Sequence, residues 1–486
     1  MKTIKSLTEA EIAELSTLPN EWKWTRLGEI HILKSNKHKG SGEALFYVGL
    51  EHISKDQGTL TKDVKVDVIN TVKNSFKRGD LLYGKLRPYL NKVYLANEDG
   101  VCSTDILVFE STPSLNLNYS KYFFLSYKFV NDMTHNSSGV NLPRVSTKYL
   151  QEYPFPFPPL PEQRAIVSKI EQLFSELDNG IANLKLAQEQ LKVYRQAALK
   201  KAFEGELTKK WREENPGVED SKCVLNKVKS QVSTQSQNKK IQDFQYDEVP
   251  YGLPFKWNWA SLSDVSISIT DGDHQAPPKA DSGVPFIVIS NISSGKLDMS
   301  ETMYVPEKYY ENLAAKRKPQ PRDLLYSVTG SYGIPILISE NYRFCFQRHI
   351  ALIRPHTEIS SKYLYYVLKS PLVYKQATEV ATGTAQLTVP LSGLRIIKVP
   401  LPPAEEQQAI VQEIETRLSV CDKIQQDIET NLEKAEALRQ SILKKAFEGK
   451  LLNERELAEV RGAEDWEPAE VLLEKIKAEK AQNGRK

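Results

Sequence analysis

The chain has 486 residues, 40% of them apolar and 26% charged, the composition of a soluble protein of roughly two to four domains. Its 65 lysines and arginines against 62 acidic residues leave a net charge of +3, so any surface that attracts nucleic acid must be local. There is no run of about 18 apolar residues to cross a membrane and no apolar stretch of a secretory signal in MKTIKSLTEAEIAELSTLP, and Cys102, Cys223, Cys345 and Cys421 form no CxxC pair, which argues against zinc or a disulfide framework and for a reducing cytoplasm.

In chain order, residues 1–160 carry short apolar runs between turn residues at 45–48, 81–83 and 106–109, which predict strands, and an amphipathic stretch at 119–131, which predicts a short helix. Residues 161–207 change period. Apolar or small side chains recur every seven residues at Ile166, Leu173, Gly180, Ala187 and Tyr194, and again at Ile170, Leu177, Leu184, Leu191 and Ala198. Together they make the 3-4 stripe of a coiled-coil seam, with Pro161 suited to the first turn and Gly205 to the stop. Such a helix is on the order of 65 Å long, and Gly180 weakens it by roughly 1 kcal/mol relative to alanine. Residues 208–250 form a linker whose polar stretch, 230–240, reads as flexible.

A second sheet-rich block follows at 251–403, with strands predicted at 286–289, 336–338 and 350–353 and a helix at 361–378. Residues 404–452 repeat the long helix, its stripe running Ile410, Ile414, Leu418, Cys421, Ile424, Ile428, Leu432, Ala435, Leu438, Ile442. The tail, 453–486, contains WEPAEVLLEKIKAEK, one more amphipathic helix that either caps the bundle or meets a partner. The class is mixed α/β, two sheet-rich domains separated by two long helices. A domain–helix–domain–helix order with the domains at opposite ends makes those helices antiparallel.

The chain is written twice. PPLPEQRAIV at 158–167 returns as PPAEEQQAIV at 402–411, and LKKAFEGEL at 199–207 returns as LKKAFEGKL at 443–451, both 244 positions on. Leu18-Pro19 with Trp22 and Trp24 matches Leu253-Pro254 with Trp257 and Trp259, 235 positions on, and Gly79-Asp80-Leu81-Leu82-Tyr83 resembles Arg322-Asp323-Leu324-Leu325-Tyr326, 243 positions on. Lys227-Val228-Lys229 echoes Lys475-Ile476-Lys477. The period is far above that of a solenoid, so a whole domain-plus-helix unit is duplicated.

Proline-rich PPLPEQRAIV leading into a long helix that closes on KKAFEGEL, present twice, resembles the specificity subunits of type I restriction-modification systems. LPNEWKWTRLGEI, LPFKWNWASLSDV and GDLLYGKLRPYLNK carry the same likeness, which covers nearly the whole chain and is most specific in the helical blocks. The resemblance implies that 1–160 and 251–403 are target recognition domains, that 161–207 and 404–452 pack as an antiparallel coiled coil spacing them, and that the chain is a non-catalytic, cytoplasmic subunit that binds double-stranded DNA. It also implies two methyltransferase (modification) subunits, which use S-adenosylmethionine to methylate adenine N6, and restriction subunits, which use ATP and Mg2+ to translocate and cut. The duplication points the same way: two similar but non-identical domains on a rigid spacer should read an asymmetric, bipartite target at a fixed separation.

Arginine and lysine position a protein on phosphates, while arginine on guanine and asparagine or glutamine on adenine read bases. Candidates in the first domain are the polar loop with Asn36, Lys37, His38 and Lys39, the turn presenting Lys85, Arg87 and Tyr89, and Asn141 with Arg144. In the second domain His274 and Gln275 occupy the comparable loop, Thr329, Ser331 and Tyr332 replace the Lys-Leu-Arg turn, Arg348 and His349 precede a strand, and Gln386 stands near where Asn141 falls. Each has a plainer reading: a solvated loop residue, sheet-edge packing for Tyr89 or Tyr332, or an ion pair within the domain for Arg87 or Arg348.

No catalytic signature is present. The Asp/Asn-Pro-Pro-Tyr/Phe motif of adenine methyltransferases and the GxxxxGK[ST] phosphate loop are both absent, and the seven histidines are scattered. No catalytic, cofactor-binding or metal-binding residue is therefore assigned. A coiled-coil scaffold joining two domains that do not bind DNA would show the same helices; DNA binding by the chain distinguishes the two.

Overall fold

The computed structural model describes residues 4–40, 42–61, 66–232, 249–272 and 276–483. Two compact units make up the chain: Met1–Lys185 with Glu429–Lys486, and Leu186–Ile428. The division falls inside both long helices, Leu160–Phe203 and Ala404–Phe447. Each unit therefore holds one sheet-rich domain, the first half of the helix that follows it and the second half of the other copy's helix. The boundaries drawn from the sequence fall at the helix ends instead.

In the first unit, strand Lys23–Arg26 pairs antiparallel with Pro154–Phe157 and closes the domain just before its long helix. Leu81–Gly84 is the middle strand of a sheet, between Val93–Leu95 and Ile106–Phe109. Its side chains alternate between two cores. Leu81 and Tyr83 join the aromatic core with Phe109, Phe124 and Phe129, while Leu82 joins Val48, Tyr94 and Val108 on the other face. A second sheet orders Lys37–His38, Lys73–Phe76, Gly100–Cys102, Glu43–Val48 and Val66–Ile69, with Glu43–Val48 and Gly100–Cys102 running parallel.

The second unit repeats the plan. Asn258–Ser261 pairs with Lys398–Leu401. Leu324–Ser327 is again an inner strand, with Leu324 and Tyr326 in one core and Leu325 in the other, and Val284–Ile287 runs parallel to Cys345–Phe346. The helices predicted at 119–131 and 361–378 each break in two. Leu117–Phe124 gives way to Tyr127–His135 at Ser126, whose backbone is extended and whose hydroxyl donates to the Phe123 carbonyl at 2.7 Å. Ser361–Leu368 ends before Pro371–Val380, where Ser370 caps and Pro371 opens a new helix. The described part of the linker carries two helices, Lys209–Glu214 and Ser221–Val232; the stretch read as flexible lies mostly outside the described residues.

The repeated motifs are the joints of each unit. In the first, the buried Glu162 carboxylate accepts from Trp22 Nε1 at 2.7 Å and from Arg461 Nε at 3.0 Å. In the second, buried Glu406 accepts from Trp257 Nε1, Arg212 Nη1 and Thr208 Oγ1, each at 2.7 Å. Gln163 accepts from the Asn116 amide at 3.0 Å, and Gln407 from the Ser360 amide at 2.9 Å. Phe447 meets Tyr119 edge-on at 5.2 Å between centroids, and Phe203 meets Tyr363 at 5.7 Å.

The AFEG blocks end their helices in a left-handed glycine, Gly205 (φ +78°) and Gly449 (φ +70°), closed by amide-to-carbonyl bonds from Glu206 to Lys201 and from Lys450 to Lys445. A Cβ at Gly205 would lie 2.4 Å from Pro254 Cγ, and one at Gly449 2.3 Å from Pro19 Cγ. Each glycine is thus required by conformation and by the close approach of the other copy's Leu-Pro motif. Gly449→Ala is expected to cost about 2 kcal/mol or more, read as a lower midpoint in urea unfolding; a change under about 0.5 kcal/mol would show that the approach is slack.

The helices pack antiparallel within each unit. In the first, Arg439 lies over the Phe174 ring at 4.4 Å and pairs with Asp178, and beyond the helix end Glu456, on the short helix Glu454–Arg461, pairs with Lys169 at 2.7 Å. In the second, Arg195 pairs with Asp422 at 2.7 Å. The seam departs from the expected register at Gly180, Tyr194, Ile424 and Leu438, all of them exposed. Gly180 is exposed, with nothing within 4 Å of a Cβ built on it, and half-buried Ile181 takes its place; Ile424 and Leu438 face outward while half-buried Gln425 and Arg439 turn inward. The tail helix Ala469–Asn483 is the second copy of the linker helix Ser221–Val232: Ala469, Leu472 and Ile476 are buried in the first unit as Ser221, Val224 and Val228 are in the second. The tail helix is held to the domain by the Ala469 amide on the Glu21 carbonyl at 3.3 Å and by Lys480 Nζ on the Gly28 and His31 carbonyls at 2.9 and 2.7 Å.

Candidate nucleic-acid interface

Two segments far apart in sequence come together at the rim of the inner strand in each unit. In the first, the turn after Leu81–Gly84 meets the hairpin of Ser137–Ser138 and Arg144–Val145. The Arg87 amide donates to the Pro143 carbonyl at 2.7 Å, the Val145 amide to the Lys85 carbonyl at 3.0 Å, and Leu86 bridges to Arg144. The second unit repeats all three links with other residues: Gly330 amide to Leu387 carbonyl at 2.9 Å, Val389 amide to Val328 carbonyl at 2.8 Å, and a Thr329–Thr388 bridge. Gly139 (φ +110°) and Gly383 (φ +112°) turn the two hairpins alike. Arg87 therefore corresponds to Gly330, which corrects the alignment of Lys-Leu-Arg with Thr-Gly-Ser.

The side chains on this common scaffold differ. In the first unit Asp105 gathers the base of the site: Arg144 donates to both its oxygens, at 3.1 and 3.2 Å, and Lys85 Nζ lies 3.9 Å from it. Arg144 and Lys85 thus hold an ion pair within the domain, a role the sequence reading gave to Arg87 or Arg348 instead. Arg87 and Tyr89 are exposed and stand on a left-handed backbone step at Arg87 (φ +52°). At the hairpin tip Val140 is 100% exposed, with Asn141 and Leu142 also in solvent.

In the second unit Ser331 and Gln386 are exposed, but Thr329 is buried, its hydroxyl accepting from Thr388 Oγ1 at 3.3 Å, so its side chain is not presented as expected. Tyr332 is half-buried, stacked on Tyr374 at 5.5 Å and 16°, its hydroxyl 2.9 Å from Thr378 Oγ1. Arg348 is exposed and its Nε donates to His349 Nε2 at 3.3 Å; burial and then the Arg348 charge lower the His349 pKa.

Lys37 and His38 lie elsewhere, on an edge strand of the five-stranded sheet where they pair with Asn74 and Lys73, and Asn36 and Lys39 flank that strand. Lysine on an edge strand also discourages pairing with another chain. His274 and Gln275 lie outside the described residues. Sequence reasoning missed Asp105, whose partners are 20 and 39 positions away. A separate surface lies on the helix pair of the second unit, a groove of about 610 Å³ lined by Leu191, Tyr194, Val420, Cys421 and Ile424, among others.

The family model for the type I restriction modification DNA specificity domain matches residues 19–186 and again 256–434. The chain belongs to this family. Both matches run from a Leu-Pro motif or its neighbour into a long helix, so the duplication seen in the structure is a duplication of the specificity domain. Among characterised specificity subunits, the chain is 32% identical to that of the type I restriction enzyme EcoDI of Escherichia coli over 46% of this chain and 52% of that one, and 28% identical to that of EcoBI, also of Escherichia coli, over 76% and 73%. The EcoDI match thus spans about half of that subunit.

The fold is that of solved specificity-family structures. A chain from a study of complex assembly and conformational transition in the type I R-M system superposes with a TM-score of 0.67 at 22% identity, over 90% of this chain and 100% of that one. The HsdS subunit from Thermoanaerobacter tengcongensis superposes at 0.56 and 22%, over 89% and 98%. Among the described residues no helix is long and apolar enough to cross a membrane.

Proposed function

We propose that this chain is the DNA-reading subunit of a type I restriction-modification complex and carries no bond chemistry of its own. One observation carries the reading: two copies of one loop scaffold, fixed by the same three backbone links, present different side chains. That is what an asymmetric, bipartite target requires. Each domain enters a major groove at its half-site, and the two long helices set the separation. The apolar groove between Tyr194 and Ile424 in the second unit supports protein docking on the helices, where two modification subunits using S-adenosylmethionine would be held, with ATP- and Mg2+-dependent restriction subunits joining them in the cytoplasm.

The scaffold alternative is tested by DNA binding. Affinity for duplex DNA should fall linearly on a log–log plot against salt as phosphate contacts are screened; no binding at low salt with the modification partner present would favour the scaffold. Inserting four residues, about one turn, in both long helices should change the spacer accepted and leave both half-sites unchanged. Changed half-sites would contradict the spacer role of the helices.

A further inference from the structure

We infer that Arg87 in the first unit and Gln386 in the second occupy the same readout position, and that this position sets one domain to a guanine and the other to an adenine. The inference rests on the DNA-reading function proposed above. Arg87 stands on a left-handed step (φ +52°), its amide is bound to the Pro143 carbonyl at 2.7 Å, and Pro88 stiffens the residue that follows. Its side chain therefore leaves the backbone from a fixed point. Unlike Lys85 and Arg144, which Asp105 holds, the Arg87 guanidinium is exposed and has no hydrogen bond or ion pair among the described residues.

In the second unit the same step is Gly330 (φ +69°), bound in the same way to the Leu387 carbonyl at 2.9 Å. A Cβ at Gly330 would lie 2.9 Å from Nε2 of Gln386. The Gln386 carboxamide thus covers the point from which Arg87 departs in the other copy. It arrives from the hairpin turned by Gly383, is exposed, and has no hydrogen-bond partner among the described residues.

The chemistry of the two heads differs in the way base recognition needs. A guanidinium offers two parallel donors, matching O6 and N7 of guanine. A carboxamide offers one donor and one acceptor, matching N7 and N6 of adenine. Glycine at 330 is what makes room for the exchange, because a side chain there would displace Gln386.

The test is the adenine-methylation pattern of cells producing the full chain with its modification subunit. Wild type should show a bipartite motif with a G·C pair specified in one half and an A·T pair in the other. Arg87→Gln should move the preference at one position of one half from G·C towards A·T and leave the other half unchanged. Gln386→Ala should reduce discrimination at one A·T pair of the other half on the order of tenfold to a hundredfold. Wild-type motifs in both variants would overturn the inference. If Arg87→Gln abolishes methylation, Arg87→Lys decides: retained guanine with weaker methylation supports the assignment, and loss of the motif in a complex that still assembles overturns it. No bipartite motif in wild type would overturn the proposed function itself.

Discussion

Replacing Glu406 with alanine should destabilise the second unit by about 3–5 kcal/mol, the range for breaking a buried charge cluster from one side. The carboxylate is fully buried and accepts three hydrogen bonds, from Trp257 Nε1, Thr208 Oγ1 and Arg212 Nη1, each at 2.7 Å. Alanine leaves the Trp257 and Thr208 donors without their acceptor and Arg212 Nη1 with only Thr208 Oγ1, at 3.1 Å, in a site that water reaches poorly, and unmade bonds cost more than made bonds contribute. The Arg212 side chain is 22% exposed, so part of its loss can be recovered from solvent, which favours the lower end of the range. Glu162→Ala in the first unit, with two donors to strand, should cost somewhat less. The measurement is urea unfolding of the chain. The double variant Glu406→Leu with Arg212→Met should recover much of the loss, because an apolar pair removes the uncompensated charge as well. A loss below about 1 kcal/mol for Glu406→Ala would show that the clasp is wet and weak.

Acid should weaken the first unit through His31. This ring is fully buried, packed against Phe109 at 5.3 Å and Phe155 at 5.4 Å, with Nδ1 3.0 Å from the Leu27 carbonyl and Nε2 2.8 Å from Ser120 Oγ. Burial, first, pushes its pKa down to about 3; the Leu27 carbonyl opposes this, and the Lys480 charge adds to it. The native ring stays neutral where the unfolded one takes up a proton, so the unfolded state binds more protons between about pH 6.5 and 3. Stability therefore falls as pH falls through that window, by about 1.4 kcal/mol per pH unit, and by up to about 5 kcal/mol across it.

The second unit has Ser266 at the matching place, its hydroxyl donating to the Leu262 carbonyl at 2.7 Å as His31 faces that of Leu27. His31→Ser should accordingly flatten the acid limb of the thermal-unfolding midpoint, whatever its cost at neutral pH. Equal acid slopes in the two proteins would remove His31 from the account.

The long helices were legible because a 3-4 stripe is a local pattern and because 244-residue spacing recurs. Their register was less so. Gly180 satisfies the heptad count, but Ile181 buries more surface one step on, and packing follows surface. Glu162, Glu406 and the AFEG glycines were visible as repeated letters but not as joints. Their partners, Arg461 and Arg212, Pro19 and Pro254, come from the opposite copy, and no local window contains both.

The candidate interface was read in fragments. The turn at 85–89 and the segment at 141–144 were each picked out by charge, yet their meeting depends on backbone bonds across more than fifty residues. Two physical facts hidden from composition then sorted the candidates. Asp105 occupies Lys85 and Arg144, and the shared left-handed step at Arg87 and Gly330 sets the correspondence of the two domains. Thr329 fell the other way, because a hydroxyl in a turn motif reads as polar surface until the hairpin that covers it is known.

Whether two unlike domains read one split DNA target is measured most directly by genome-wide adenine methylation in cells producing this chain with its modification subunit, beside cells that lack only this chain. The expected result is a new motif of two unlike specified halves separated by a fixed run of unspecified bases. A methylome identical in the two cell lines, with the modification subunit present and active, would contradict it.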